Sequence, residues 1–388
     1  MNAQDTLALA RSRLPEALAL LETLVNLDTG SYALEALAAA SRWVETQLHL
    51  LGFAVRRLEF PDTGPVLVGT RTGTGRARVL FLAHYDTVFG ADDVRRRPFR
   101  TDGARAYGPG VADMKGGVVT LWEALRLLAA AGWTDYASLV VVHNADEEIG
   151  SPRSRAVIEE EARRAHVCFV LEPGRPDGSV VTARKGVGRY TLTVHGRAAH
   201  AGAYPEDGAS AVVALAHKIV ALHGLNDYAR GLTVNAIVTE GGTRANVVPD
   251  IARAEIDVRV PALTQVAPLE ARLREIAAHE HLPRTRGVLE GGLNRPPMEP
   301  SPRSHALLAL AQGCAQALGL PLPATSTGGG SDGNFVAALG VPVLDGLGAV
   351  GGGFHSADEY LEIASLPHRA ALLALVVPEA CRRPEIVG

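Results

Sequence analysis

Seven side chains in this sequence have types and spacings that could do chemistry. The stretch SLVVVHNADEEIGS at 138–151 carries an apolar run, 139–142, into two adjacent glutamates, Glu147 and Glu148. A short β-branched run of that kind predicts a strand buried on both faces, broken by Asn144, Ala145 and Asp146. Two carboxylates then stand at a strand's carboxyl end, the edge of an open α/β sheet where ligands bind. Neighbouring side chains on an extended segment point opposite ways, so one can hold a metal while the other handles protons. His84 ends a second such run, 79–83, and Asp86 two residues on can face the same side, as a carboxylate that orients a metal-bound imidazole does. Asp113 sits just before a helical pattern in GPGVADMKGG; aspartate caps helices well, but so dense a glycine cluster predicts close backbone approach to a ligand. Glu172 follows a third buried run, 167–171, and His355 lies in a glycine-flanked loop as a candidate final ligand. Imidazoles and carboxylates without cysteine suit Zn, Mn or Co and argue against a structural zinc site. The number of candidates suits two ions, which about 3.5–4 Å apart can jointly generate a nucleophile and polarise a carbonyl. A further glutamate free of metal would take a proton from water and pass it to a leaving amine. Peptide or amide hydrolysis follows.

The elements that must position these groups alternate between helices and strands. Helices are predicted over 6–27 and 34–51, strands over 53–60, 66–70 and 79–83, a helix over 118–131, and the strand that delivers Glu147 and Glu148. A helix over 153–164 and the strand 167–171 follow. That order predicts a doubly wound, mostly parallel sheet. Near Lys185 the pattern changes. Alternating runs at 187–195, 232–240, 251–260 and 285–289, with helices over 208–226 and 265–279, give the order β-α-β-β-α-β, a ferredoxin-like α+β arrangement. Helices over 304–318 and from 365, with a strand at 341–344, resume the first pattern. The expected division is a catalytic domain from 1–184 and 297–388, interrupted by an inserted domain at 185–296.

Composition bounds the remaining readings. The chain has 388 residues, 47% hydrophobic, with 38 basic and 42 acidic residues and a net charge of −4, which supports neither nucleic-acid binding nor an acidic tail. Cys168, Cys314 and Cys381 match no thiolate metal spacing and are read as inert thiols in a reduced compartment. The first 25 residues carry charges throughout and read as a helix, not a signal peptide; no apolar run is long enough to span a bilayer. The expectation is a cytoplasmic enzyme. The Gly-rich 108–117 segment lacks the Gly-Lys-Ser/Thr of a phosphate loop.

HYDTV at 84–88, GPGVADMKGG at 108–117, ADEEIGS at 145–151, LEPG at 171–174, HAGAYPEDG at 200–208, GGGSD at 328–332 and FHSADEY at 354–360 together resemble the M20 metallopeptidase family, in its glutamate carboxypeptidase branch. The resemblance spans nearly the whole chain. It implies that the inserted domain is a lid and dimerisation domain. It implies two Zn2+ per subunit, with Co2+ or Mn2+ as substitutes: His84 and Glu172 on one ion, Glu148 and His355 on the other, and Asp113 bridging them through a peptide bond that is cis in the family. It makes Glu147 the general acid/base and Asp86 the residue that orients His84. His200 resembles a histidine that reaches across a homodimer to the partner's site and stabilises the oxyanion. Asn246 matches a position near substrate, and Arg295 matches an arginine that grips a terminal carboxylate; without the resemblance, His200 and Arg295 read as ordinary surface residues. The expected activity is release of a C-terminal amino acid, glutamate or another acidic one, from a small peptidyl or N-acyl substrate. The alternatives are an N-acyl amino acid deacylase of the same family and a non-catalytic binding relative.

Overall fold

The computed structural model describes residues 2–388, and these form two compact units. The first takes the chain up to Ala183, Pro300–Ser326 and Ser331–Gly388; the second takes Arg184–Glu299 and Thr327–Gly330. The glycine run at 327–330, which the sequence pattern leaves with 297–388, belongs to the second unit. There the amide of Lys185 donates to the Thr327 carbonyl and the Arg259 guanidinium to the Gly328 carbonyl.

The first unit is built on a six-stranded sheet in the order Ala54–Leu58, Val66–Thr72, Ser138–Asn144, Arg78–His84, Val167–Val170, Val343–Leu344. The last four run parallel, and Val66–Thr72 is antiparallel to both its neighbours. Register sets the layers. Val79 and Phe81 join a core with Trp122, Leu125 and Phe169, while Leu80 and Leu82, alternating to the other face, are buried too. The helices Gly117–Ala130 and Ser365–Cys381 pack together against the Arg78–His84 strand, and Ser154–Ala162 packs on Ser138–Asn144.

Two departures from the expected elements have plain causes. The helix expected over 6–27 is two, Ala3–Ser12 and Leu14–Val25, because Pro15 opens a new helix where it cannot continue the old one. The connection after Val88 contains Arg100–Thr101 and Arg105–Tyr107, which join Tyr360–Glu362 and Gly351–Gly352 in a small four-stranded sheet. Strands of two or three residues are too short to show periodicity.

The second unit is an antiparallel sheet in the order Thr233–Gly241, Ile251–Val260, Gly186–His195, Arg286–Arg295, with helices Ala211–His223 and Val266–Ala278 on one face. Leu192, Val194, Ile256 and Val258 meet Leu215, Leu222, Leu269 and Leu273 between the layers. This is the ferredoxin-like order expected from the alternation. Among the described residues no helix is long and apolar enough to cross a membrane.

Candidate active site

Three neighbouring parallel strands deliver their chemistry to one edge. His84 is the last residue of Arg78–His84, Glu147 and Glu148 follow Ser138–Asn144, and Glu172 follows Val167–Val170. The remaining two groups come from the small sheet. Asp113 lies in the turn that follows Arg105–Tyr107, and His355 sits in the loop between Gly351–Gly352 and Tyr360–Glu362. Antiparallel pairing of these short strands brings together segments far apart in sequence.

The structure assembles five of these groups into two trios, His84 with Asp113 and Glu172, and Asp113 with Glu148 and His355. Asp113 belongs to both. Its Oδ1 lies 3.4 Å from His84 Nε2 and its Oδ2 3.3 Å from His355 Nε2. Glu172 Oε1 is 3.7 Å from His84 Nε2, and Glu148 Oε2 is 3.3 Å from His355 Nε2. The Asp113–Met114 peptide is cis. His84 is 2% exposed and its Nε2 is buried without a hydrogen-bond partner, whereas the His355 side chain is 54% exposed. An orphaned buried nitrogen facing two carboxylates is costly unless something accepts its lone pair.

The electrostatics favour positive charge beside these carboxylates. Burial works to lower the pKa of His84, but Asp113 and Asp86 outweigh it and raise it well above the ordinary imidazole value. Asp113 and Glu148 push His355 up to about 10. Burial opposes ionisation of Asp113, yet the two imidazoles hold its carboxyl well below the usual range. Burial raises Glu148.

Asp86 has more partners than its expected one. His84 Nδ1 lies 3.0 Å from the Asp86 main-chain carbonyl and 3.4 Å from its carboxylate. The carboxylate itself accepts from Ser31 Oγ at 2.8 Å and from the amides of Glu147 and Glu148, each at 3.2 Å. It thereby fixes the backbone of the glutamate pair as well as facing the imidazole. Glu147 is half-buried and belongs to neither trio among the described residues.

The glycines around Asp113 serve a purpose other than the expected approach to a ligand. A Cβ at Gly110, which has φ +70°, would collide with Thr87, and one at Gly117 would collide with the Leu171 carbonyl. They let this turn pack against protein backbone and side chains.

Sequence reasoning missed the groups behind the site. Glu359, 1% exposed, accepts the amides of Gly110, Ala112 and Asp113, each at 2.9 Å. The requirement that buried amides find acceptors was the available signal, since a glycine-rich turn supplies several and a nearby acid must answer them. Asp332 of the GGGSD motif accepts from Asn144 Nδ2 at 2.8 Å and from Ser151 Oγ, and Asp146 accepts the amides of Arg153 and Ser154. That motif braces the loop carrying Glu147 and Glu148.

The other expected site residues lie in the second unit. The His200 ring is exposed, and its Nδ1 accepts the amides of Gly202 and Ala203 at 3.2 and 3.1 Å. Asn246 stands beside it, its carbonyl accepting the Ala201 amide at 2.9 Å. Arg295 corrects its reading as a surface residue: it is 4% exposed, because it ends the Arg286–Arg295 strand opposite Val187 with Gly330 packed against its Cδ.

A model of peptidase family M20/M25/M40 matches residues 80–379. The chain belongs to this family. It is 33% identical over 368 residues to carboxypeptidase G2 of Pseudomonas sp. (strain RS-16), covering 94% of this chain and 89% of the relative. It is 27% identical over 357 residues to succinyl-diaminopimelate desuccinylase of Maricaulis maris (strain MCS10), covering 88% and 90%. In fold it is similar to aminopeptidase PepT of Bacillus cereus ATCC 10987, with a TM-score of 0.76 at 21% identity over 95% of this chain and 99% of that one. The M20 chain is a hydrolase acting on peptide or amide bonds, in a metal-dependent family, and it presents two groups of candidate metal ligands.

Proposed function

We propose that this M20 enzyme is a dizinc exopeptidase or amidohydrolase that releases a C-terminal amino acid, glutamate or a similar acidic residue, from peptidyl or N-acyl substrates. One observation carries the reading: the two oxygens of Asp113 face different imidazoles, at 3.4 and 3.3 Å. His84 and Glu172 would hold one ion, Glu148 and His355 the other, with Asp113 shared. The orphaned Nε2 of His84 fits a cation, and a donor set of imidazoles and carboxylates fits zinc, with cobalt or manganese as substitutes. When bound, the pair of ions supplies acidification of a water and polarisation of the scissile carbonyl.

The protein's own groups do the rest. Glu147, outside both trios, takes the proton from the water and returns it to the leaving amine. Asp86 holds the backbone of that glutamate. Because His200 Nδ1 accepts two amides, a neutral ring carries its proton on Nε2, a donor suited to a developing oxyanion. Asn246 stands beside that histidine, and Arg295 has the planar fork that grips a carboxylate. The second unit supports a homodimer: Thr233–Gly241 is an edge strand with Ile237 and Val238 exposed, and Val213 and Val220 are exposed on the Ala211–His223 helix. The thiols of Cys168, Cys314 and Cys381 are free, which supports a reducing, cytoplasmic setting.

Elemental analysis of the purified protein, followed by assays of acyl-glutamates and folate-like dipeptides against acetyl-ornithine and succinyl-amino acids, tests the proposal. Two zinc ions and preference for acyl-glutamates are expected. The likeness to a desuccinylase makes the N-acyl deacylase the second reading, and preference for succinyl or acetyl substrates would select it.

A further inference from the structure

We propose that Glu359 is a positioning residue for the metal centre, one carboxylate that locks the bridging Asp113 and the loop of His355 into a single rigid assembly. The inference rests on the two-ion reading above. Glu359 Oε1 accepts the amides of both Ala112 and Asp113, and Oε2 that of Gly110, all at 2.9 Å. Three convergent main-chain donors on one buried acid fix the turn from Gly110 to Asp113 itself. Glu359 lies four residues from His355 in the same loop, just before the Tyr360–Glu362 strand. That strand pairs with Arg105–Tyr107, which leads into the Asp113 turn, so the same two segments are also joined by a ladder, Tyr360 opposite Tyr107 and Leu361 opposite Ala106.

The geometry at Asp113 explains why such a clamp is needed. Its two oxygens must face imidazoles on opposite sides at nearly equal distances, so rotation of its backbone would improve one contact at the expense of the other. A side-chain acceptor on the His355 loop ties the aspartate's main chain to one of the two ligands it has to reach. Glu359 touches neither a substrate nor a ligand's donor atom; it acts through Asp113 and His355.

The test is Glu359→Gln, which keeps the size but replaces one acceptor oxygen by an NH2 group that faces an amide donor. Zinc affinity is measured by competition with a chromophoric chelator, and ligand geometry by the visible spectrum of the Co2+-substituted protein. The expected result is zinc binding weakened by about 10- to 100-fold, in the range for residues that orient metal ligands, with a changed Co2+ spectrum and turnover recovered by excess zinc. Glu362→Gln, whose partner is Arg105 on the adjoining strand, is expected to leave zinc affinity unchanged. Zinc affinity and Co2+ spectrum equal to wild type in Glu359→Gln overturn the proposal. Should that variant not fold, hydrogen exchange of the metal-free wild-type protein decides: protected amides at 110, 112 and 113 support the clamp, and free exchange there overturns it. Wild-type protein that binds no zinc would instead remove the two-ion reading itself.

Discussion

Replacing Asp86 with Asn separates two roles that one carboxylate could have. If it served mainly to orient His84, the substitution would loosen the ion held there. The distances argue otherwise, because the His84 ring has a closer anchor in the Asp86 main-chain carbonyl, 3.0 Å against 3.4 Å, and the substitution leaves that carbonyl in place. What Asp86→Asn removes is the acceptor for one of the two amides at Glu147 and Glu148, in a position 0% exposed to solvent. A buried donor left without its charged acceptor costs about 1–3 kcal/mol, which stability of about 5–15 kcal/mol can absorb. The amide must move, and Glu147 moves with it; a displacement of about 1 Å at a reacting group costs on the order of 100-fold in rate. Asp86→Asn is therefore expected to retain wild-type zinc content and cooperative unfolding while kcat drops about 100-fold. Ser31→Ala, which removes one hydroxyl donor but keeps the carboxylate, should cost only about 1 kcal/mol and little rate. Zinc analysis of both variants beside steady-state kinetics on an acyl-glutamate is the assay. Unchanged kcat in Asp86→Asn, or loss of zinc in proportion to the loss of rate, would refute the reasoning.

Three further outcomes are expected. Glu147→Gln should keep both ions and lower kcat by about 100- to 10,000-fold, the range for a lost proton-transfer group, and retained turnover would reject its role. Asp332→Ala removes the carboxylate that accepts from Asn144 Nδ2 and Ser151 Oγ in a buried network and should destabilise the first unit by about 1–3 kcal/mol, seen as a lower urea midpoint; an unchanged midpoint would show that the network is dispensable. Val238→Lys on the exposed edge strand is expected to shift a dimer toward monomer in analytical ultracentrifugation, and a sedimentation profile equal to wild type would exclude that edge from any interface.

The parts of the site that were legible in the sequence are those tied to long, patterned elements. His84, Glu147, Glu148 and Glu172 each follow a short apolar run, and a parallel sheet gathers the carboxyl ends of such runs at one edge. Residues 251–260 displayed their register directly, because one face is apolar and the other charged. Glu359 was hard to place for the opposite reason. The glycine-rich turn shows that its amides need an acceptor but not which acid supplies it, and the strands that bring Glu359 to Asp113 are two or three residues long. The glycines at 110 and 117 misled because a missing Cβ signals close approach without saying what approaches. The burial of Arg295 was not legible because Gly330, which packs against its Cδ, is distant in sequence.

The donors of the two trios come from five separate segments, from His84 to His355, and no two neighbours in sequence contribute to the same trio. An unfolded chain therefore offers no preformed chelate, and any ion that occupies the proposed centre acts on the native state alone. Free zinc would then behave as a thermodynamic ballast for the first unit, its chemical potential entering directly into the folding equilibrium. Scarcity of the ion would deplete the folded population as well as the catalyst, so cellular abundance of this polypeptide should track metal supply.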